Sequence, residues 1–224
     1  MKLGLTRIDK EVVFDRSVES KRQIQEKIGI YRWYLCENCL ARTGDFQERD
    51  FVLDFNFMFD MSIQSVEDLV YTVAEDICIL QLDSDNEYRL KCALIGFPNR
   101  WRPREKIGLS IPQIHGPVPG FEAAVSSLNT FLKHLKVGQF YRRQNWGLCK
   151  SNKLYLPYDV EGDTVYKRVE FQTLFKISKT QLVFLIRTEI QSIDEQIRDE
   201  LVSTLSPKQV QYKLQTSLQP HSRL

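Results

Sequence analysis

The sequence is poor in several features that would give a ready answer. Only three of its 224 residues are histidine, His115, His134 and His221, so imidazole chemistry has few sources. Five cysteines, an odd number in a chain this long, do not read as a disulfide framework. No apolar run approaches the roughly 18 to 20 residues that span a bilayer. The opening residues, charged from Lys2 and Arg7 onward, leave no apolar core for a secretory signal. There is no Gly-x-Gly-x-x-Gly after a strand pattern, no four-cysteine cluster spacing, no repeat and no low-complexity tract. The expectation is a cytoplasmic protein with no membrane span, which holds neither nicotinamide nor iron–sulfur by a recognisable motif. The chain has apolar material for a core, 42% hydrophobic against 27% charged, and this excludes wholesale disorder.

The net charge of +2 hides a segregation. From Gly44 to Glu87 twelve acidic residues face one basic residue, Arg49, whereas from Asn99 to Lys153 ten basic residues face only Glu105 and Glu122. A positive segment inside a nearly neutral protein can hold an anionic ligand. Nucleic acid fits poorly, because the acidic half would repel a phosphate backbone and no nucleic-acid motif is present. Two halves that face one another, or that are simply solvated, account for the charges equally well.

The spacing of residues predicts a single α+β domain over 1–224, with its core at about 65–190. Residues 15–40 read as a helical lead-in, with Val18, Ile24, Ile28 and Tyr31 loosely periodic. Phe51, Phe55, Phe57 and Phe59 alternate, as in a strand or an extended stretch. Ser65-Val66-Glu67-Asp68 resembles a capping box that opens a short helix. Residues 77–82 and 88–97 flank the turn Asp83-Ser84-Asp85-Asn86 and read as a hairpin. Five of the eight prolines fall between Pro98 and Gly120, in what reads as a long functional loop. A helix follows, with Val125, Leu128, Leu132 and Leu135 on one face and Gly138 to terminate it. Three strands then run at 140–149, 166–177 and 182–190, and two helices close the chain over 192–218, the second opened by Ser206-Pro207. This order suits a PAS-like five-stranded antiparallel sheet, with helices inserted between its second and third strands and helical extensions at both ends.

The block Phe97-Pro98-Asn99-Arg100-Trp101-Arg102-Pro103-Arg104-Glu105-Lys106-Ile107-Gly108, followed by Ile114-His115-Gly116-Pro117-Val118-Pro119-Gly120, resembles the haem-dependent oxidative N-demethylase family, alpha-subunit-like. Val73-Ala74-Glu75-Asp76-Ile77-Cys78-Ile79-Leu80, Arg143-Gln144-Asn145-Trp146 and Val169-Glu170-Phe171-Gln172-Thr173-Leu174 look like further blocks of that pattern. The resemblance implies a PAS fold and a catalytic subunit that binds haem b. With O₂ it would oxidise a methyl group of a small secondary amine and release formaldehyde, as a haem-dependent monooxygenase. A separate reductase carrying flavin and iron–sulfur would supply electrons from NADPH. The chain departs from the family in two places: Phe171 stands where the family is expected to have Arg, and Ile177-Ser178-Lys179 where Leu-Pro-Arg is expected.

Haem iron needs a protein ligand with a lone pair. By resemblance His115 is the axial ligand; a hydrogen-bonded loop histidine is the plain alternative, and a thiolate from Cys78, Cys92 or Cys149 is second choice. Arg143, Arg100, Arg102 and Lys106 are candidates for the haem propionates, and Trp146 for the pocket wall. Glu75, Asp76 and Glu170 are candidate carboxylates for a substrate ammonium or a proton relay, with surface pairing to the basic segment as the alternative. The isolated Cys36-Glu37-Asn38-Cys39 reads as two cysteines on a helix turn. Two other functions stay open: a PAS-like haem sensor or carrier without turnover, and a non-haem interaction module.

Overall fold

A computed structural model describes residues 4–33, 39–115, 118–158 and 164–213. Strands β3 (Asp76–Leu82) and β4 (Tyr88–Leu94) form the expected hairpin, with Ile77 opposite Leu94 and Leu82 opposite Tyr88. Asn86 takes the left-handed conformation the turn requires, φ 64°, which asparagine tolerates. Strands β5 (Phe140–Cys149), β6 (Tyr166–Lys176) and β7 (Gln181–Ser192) follow as a meander, and β7 returns to pair with β3. Helices α4 (Pro103–Lys106), α5 (Ile111–His115) and α6 (Glu122–His134) lie between the second and third long strands, as the order of elements predicts. The stretch read as a loop thus holds two short helices. Gly138, at φ 75°, sits in the turn to β5 rather than at the end of α6, where Leu135 is the cap.

Among the described residues the sheet has seven strands rather than five, in the order β1-β5-β6-β7-β3-β4-β2. The additional strands, β1 (Thr6–Ile8) and β2 (Leu40–Arg42), have three residues each and pair with the two edges. Three residues carry too little alternation to be read from sequence. The result is a mixed α+β fold, an antiparallel sheet with flanking helices, consistent in general terms with a PAS-like architecture.

Alternation along the strands divides the core in two. Ile77, Ile79, Phe140, Phe175, Val183 and Leu185 face one layer; Cys78, Leu80, Tyr141, Leu174, Leu182 and Phe184 face the other. The first layer includes Phe51, Val52 and Phe55 of α2 (Glu48–Phe59) and Leu69 and Val70 of α3 (Leu69–Thr72). The second is closed by Leu132 and Leu135, with Ile111 and Ile114 packed against it.

Two expectations about the N-terminal third are corrected. The alternating phenylalanines form helix α2, in which Phe51 and Phe55 are one turn apart and buried while Phe57 is 93% exposed. The predicted 15–40 helix is α1 (Val18–Trp33); residues 34–38, with most of the Cys36–Cys39 motif, lie outside the described residues, and Leu40 belongs to β2. The apolar positions do not mark the buried face of α1. Val18 is 83% exposed, and the buried side chains are Ser20, Gln23 and Lys27. Each has partners: Ser20 Oγ donates to Asp15 (2.6 Å), Gln23 Nε2 to the Thr188 carbonyl (2.9 Å) and Lys27 Nζ to the Val73 carbonyl (3.2 Å). A polar face can be buried when most of its groups find partners; among the described residues Gln23 Oε1 is the one buried side-chain atom of this face without a hydrogen-bond partner.

The chain ends in α7 (Glu195–Ser203), capped by Asp194, which accepts from Ile197 N–H (2.8 Å), and α8 (Pro207–Lys213). Among the described residues no helix is long and apolar enough to cross a membrane.

Candidate functional site

Ser110 opens α5: its N–H donates to Gln113 Oε1 (2.8 Å) and its carbonyl accepts from Ile114 N–H (2.9 Å). Ile111 and Ile114 pack on the second core layer, which sets the orientation of the single turn and of His115 at its end. His115 Nδ1 lies 2.9 Å from the Ile111 carbonyl, and its ring stacks on Phe121 with centroids 4.6 Å apart and planes 13° apart. A carbonyl can only accept, so Nδ1 carries the hydrogen. In the neutral ring this leaves the lone pair on Nε2. Burial lowers the pKa of His115; the Ile111 bond opposes the shift, while the charges of Arg143 and Lys106 add to it. The imidazole is therefore held neutral, with Nε2 as the nitrogen that keeps its lone pair.

Arg143 projects from β5 on the same side as Tyr141, toward the layer that contains α5. Its Nε donates to Gln172 Oε1 (2.7 Å), and Gln172 Nε2 donates to Glu170 Oε2 (2.9 Å). Beneath them the buried Arg168 lies with Nε 3.7 Å from Glu170 Oε1, and its guanidinium donates to the carbonyls of Leu154 (2.9 Å) and Phe97 (2.6 Å). Lys106 Nζ donates to the Ile114 carbonyl (3.0 Å), one residue before His115. His115, Lys106, Arg143 and Glu170 thus belong to one face of the sheet. Gln172 and Arg168, which sequence reasoning missed, tie Arg143 to Glu170 and hold Glu170 in place; their signal was period-two spacing with Glu170 along β6.

The remaining candidates lie elsewhere. Arg142, adjacent to Arg143, points to the opposite face and donates to Thr173 Oγ1 (2.9 Å) and to the carbonyls of Val12 and Val13. Trp146 alternates away from Arg143, with Lys213 Nζ 4.4 Å from its ring centroid. Arg100 has φ 59° and donates its N–H to the Leu156 carbonyl (2.6 Å), and Arg102 lies over the Tyr158 ring at 4.6 Å. Asp76 accepts from the N–H groups of Gly96 (2.7 Å) and Phe97 (2.9 Å) and lies 3.5 Å from Lys27 Nζ. Glu75 accepts from Asp15 N–H (3.2 Å). Burial raises the pKa of both carboxylates and lowers that of Lys27.

Residues 44–218 match the family described as haem-dependent oxidative N-demethylase, alpha subunit-like. The chain belongs to that family. The matched span holds α2 through α8 and the five long strands, while α1, β1 and β2 precede it. A fold can host the family's chemistry only where its side chains suit the cofactor. Among the described residues no group of three or more His, Cys, Asp or Glu side chains is placed to hold a bare metal ion. Haem iron asks less of the protein, a single axial donor and cations for two propionates. His115 with Arg143 and Lys106 fits that requirement. The thiols fit less well: burial pushes Cys92 up to about 12 and raises Cys78 and Cys149, which disfavours thiolates. Two surface clefts, of about 310 and 460 Å³, open away from this face, one beside Asp50 and Gln181 and one beside Gly29 and Trp33, and among the described residues neither is lined by a histidine or a cation.

Proposed function

We propose that the protein binds haem b through His115 Nε2 and serves as the catalytic subunit of an O₂-dependent oxidative N-demethylase. The bound haem supplies the oxidation of a methyl group on a small secondary amine, with release of formaldehyde. The chain's own residues bind and orient. Arg143 and Lys106 are the cations for the propionates, and Glu170 is the carboxylate for the substrate ammonium. Electrons come from a separate flavin and iron–sulfur reductase using NADPH, and the setting is the cytoplasm. The observation that carries this reading is the His115 ring, neutral, with Nδ1 spent on the Ile111 carbonyl and Nε2 left as the donor.

A second reading, haem sensing or carriage without turnover, draws support from the other two carboxylates. Both Asp76 oxygens are occupied by backbone amides, and Glu75 holds the N-terminal segment through Asp15. The visible spectrum of the purified protein after haem supplementation tests both readings. A Soret band is expected. In His115→Ala it should shift or weaken and recover when imidazole is added, and a variant spectrum identical to wild type would remove His115 as ligand. Amine-dependent formaldehyde release with a competent reductase separates the enzyme from the sensor. Absence of any Soret band would overturn both and leave an interaction module.

A further inference from the structure

Among the described residues β1 pairs with β5 only from Phe140 to Arg142, so the outer edge of β5 beyond that point has no described strand beside it. An open edge is a template for foreign strands unless something covers it. Here α8 does so: Lys213 Nζ donates to the Trp146 carbonyl and to Asn145 Oδ1 (3.3 Å) while lying over the Trp146 ring. These partners are neutral, and burial lowers the pKa of the ammonium. Its charge also couples to the face described above, favourably with Glu170 and unfavourably with Arg143, and Tyr212 next to it couples to Glu170 as well. α7, which joins α8 to β7, buries none of its side chains. Lys213, the last described residue, thus latches α8 to β5 through a half-buried ammonium on neutral acceptors, an arrangement that costs hydration and favours release.

We propose that α7 and α8 form a releasable strap that closes the margin of the Arg143–Glu170 face, with Lys213 as its latch. Closed, it covers the β5 edge and sets a cation beside Glu170; released, it frees both for ligand entry. The proposal rests on the reading of that face as the ligand site, but its first test does not need the ligand.

Hydrogen exchange of the full chain, without added haem, is compared for wild type, Lys213→Ala and Lys213→Arg. In Lys213→Ala the amides of residues 143–149 should exchange about tenfold faster, the effect of losing a charged hydrogen-bond donor and a cation–π contact. β3, β4 and β7 should keep wild-type protection, and Lys213→Arg should retain most of the protection over 143–149. Unchanged exchange there, or acceleration spread evenly over the sheet, would overturn the strap. With haem as probe, Lys213→Ala should take it up faster and reach the wild-type spectrum. Uptake by neither protein would count against the haem reading alone, since the exchange result still decides on the strap.

Discussion

The Cβ that Gly96 lacks would lie 2.6 Å from Cγ of Lys27. That side chain cannot swing away. Lys27 and Asp76 are each 1% exposed, and Lys27 Nζ is fixed by Asp76 and by the carbonyls of Val73 and Glu75. Asp76 in turn holds the N–H groups of Gly96 and Phe97, so α1, β3 and the start of the 97–108 block are joined at one point. Gly96→Ala should destabilise the protein by about 1–3 kcal/mol through overpacking. Urea unfolding checks this, and a Lys27→Ala background should absorb much of the cost because the two changes share one contact. An unshifted midpoint would show that Lys27 yields.

Glu75 offers a prediction with a definite pH sign. Burial raises its pKa, and among the described residues Oε2 has no hydrogen-bond partner. The folded state therefore holds the proton more tightly than the unfolded chain, and the penalty for the carboxylate grows as pH rises from the ordinary glutamate range through the raised value. Glu75→Gln keeps an oxygen for Asp15 N–H and removes the charge. Its melting temperature should exceed wild type at pH 7 and converge with it near the ordinary glutamate pKa of about 4.3. A difference that is constant with pH would contradict this.

Phe171, the departure from the expected family arginine, stands opposite Arg187 across β6 and β7 and on the other face of the sheet from Glu170 and Gln172. The Arg187 guanidinium lies 5.6 Å from its ring centroid and also pairs with Asp15. Phe171→Leu should cost roughly 0.5–1 kcal/mol of stability through the lost cation–π contact. The Soret position of the haem-supplemented protein should not move. A shifted band would place Phe171 in contact with the cofactor.

Arg143→Ala should weaken haem retention by roughly 1.5–3 kcal/mol, the worth of one charge-assisted contact, while the far-ultraviolet circular dichroism stays that of wild type. Transfer of haem to an apo-globin acceptor measures the loss. Retention equal to wild type would assign Arg143 to its Gln172 contact alone.

Much of the architecture was legible because it is local. Alternation in β3 through β7, the Asp83–Asn86 turn, the Ser206-Pro207 helix start and the stripe along α6 each depend on residues close in sequence, and the hairpin and meander follow from them. The family, too, could be read from contiguous blocks. Where two periods fit the same residues, locality failed: Phe51, Phe55 and Phe59 satisfy a helix and a strand alike, and burial on the first core layer decides for the helix. The polar buried face of α1 was equally hidden, because Ser20, Gln23 and Lys27 become buriable only when Asp15, Thr188, Val73 and Glu75 arrive to satisfy them.

The candidate site divides along the same line. That His115 is the one histidine in a family block, with basic residues around it in the chain, can be read along the chain. Which of those residues converge depends on strand pairing. The β5–β6 register sets Arg143 against Gln172, with Glu170 two residues away on the same face, and it sends the adjacent Arg142 to the other side. The physical reason is that strand period places a side chain on a face, whereas its neighbours there are set by pairing between segments about 30 residues apart, and that pairing leaves no mark in local spacing.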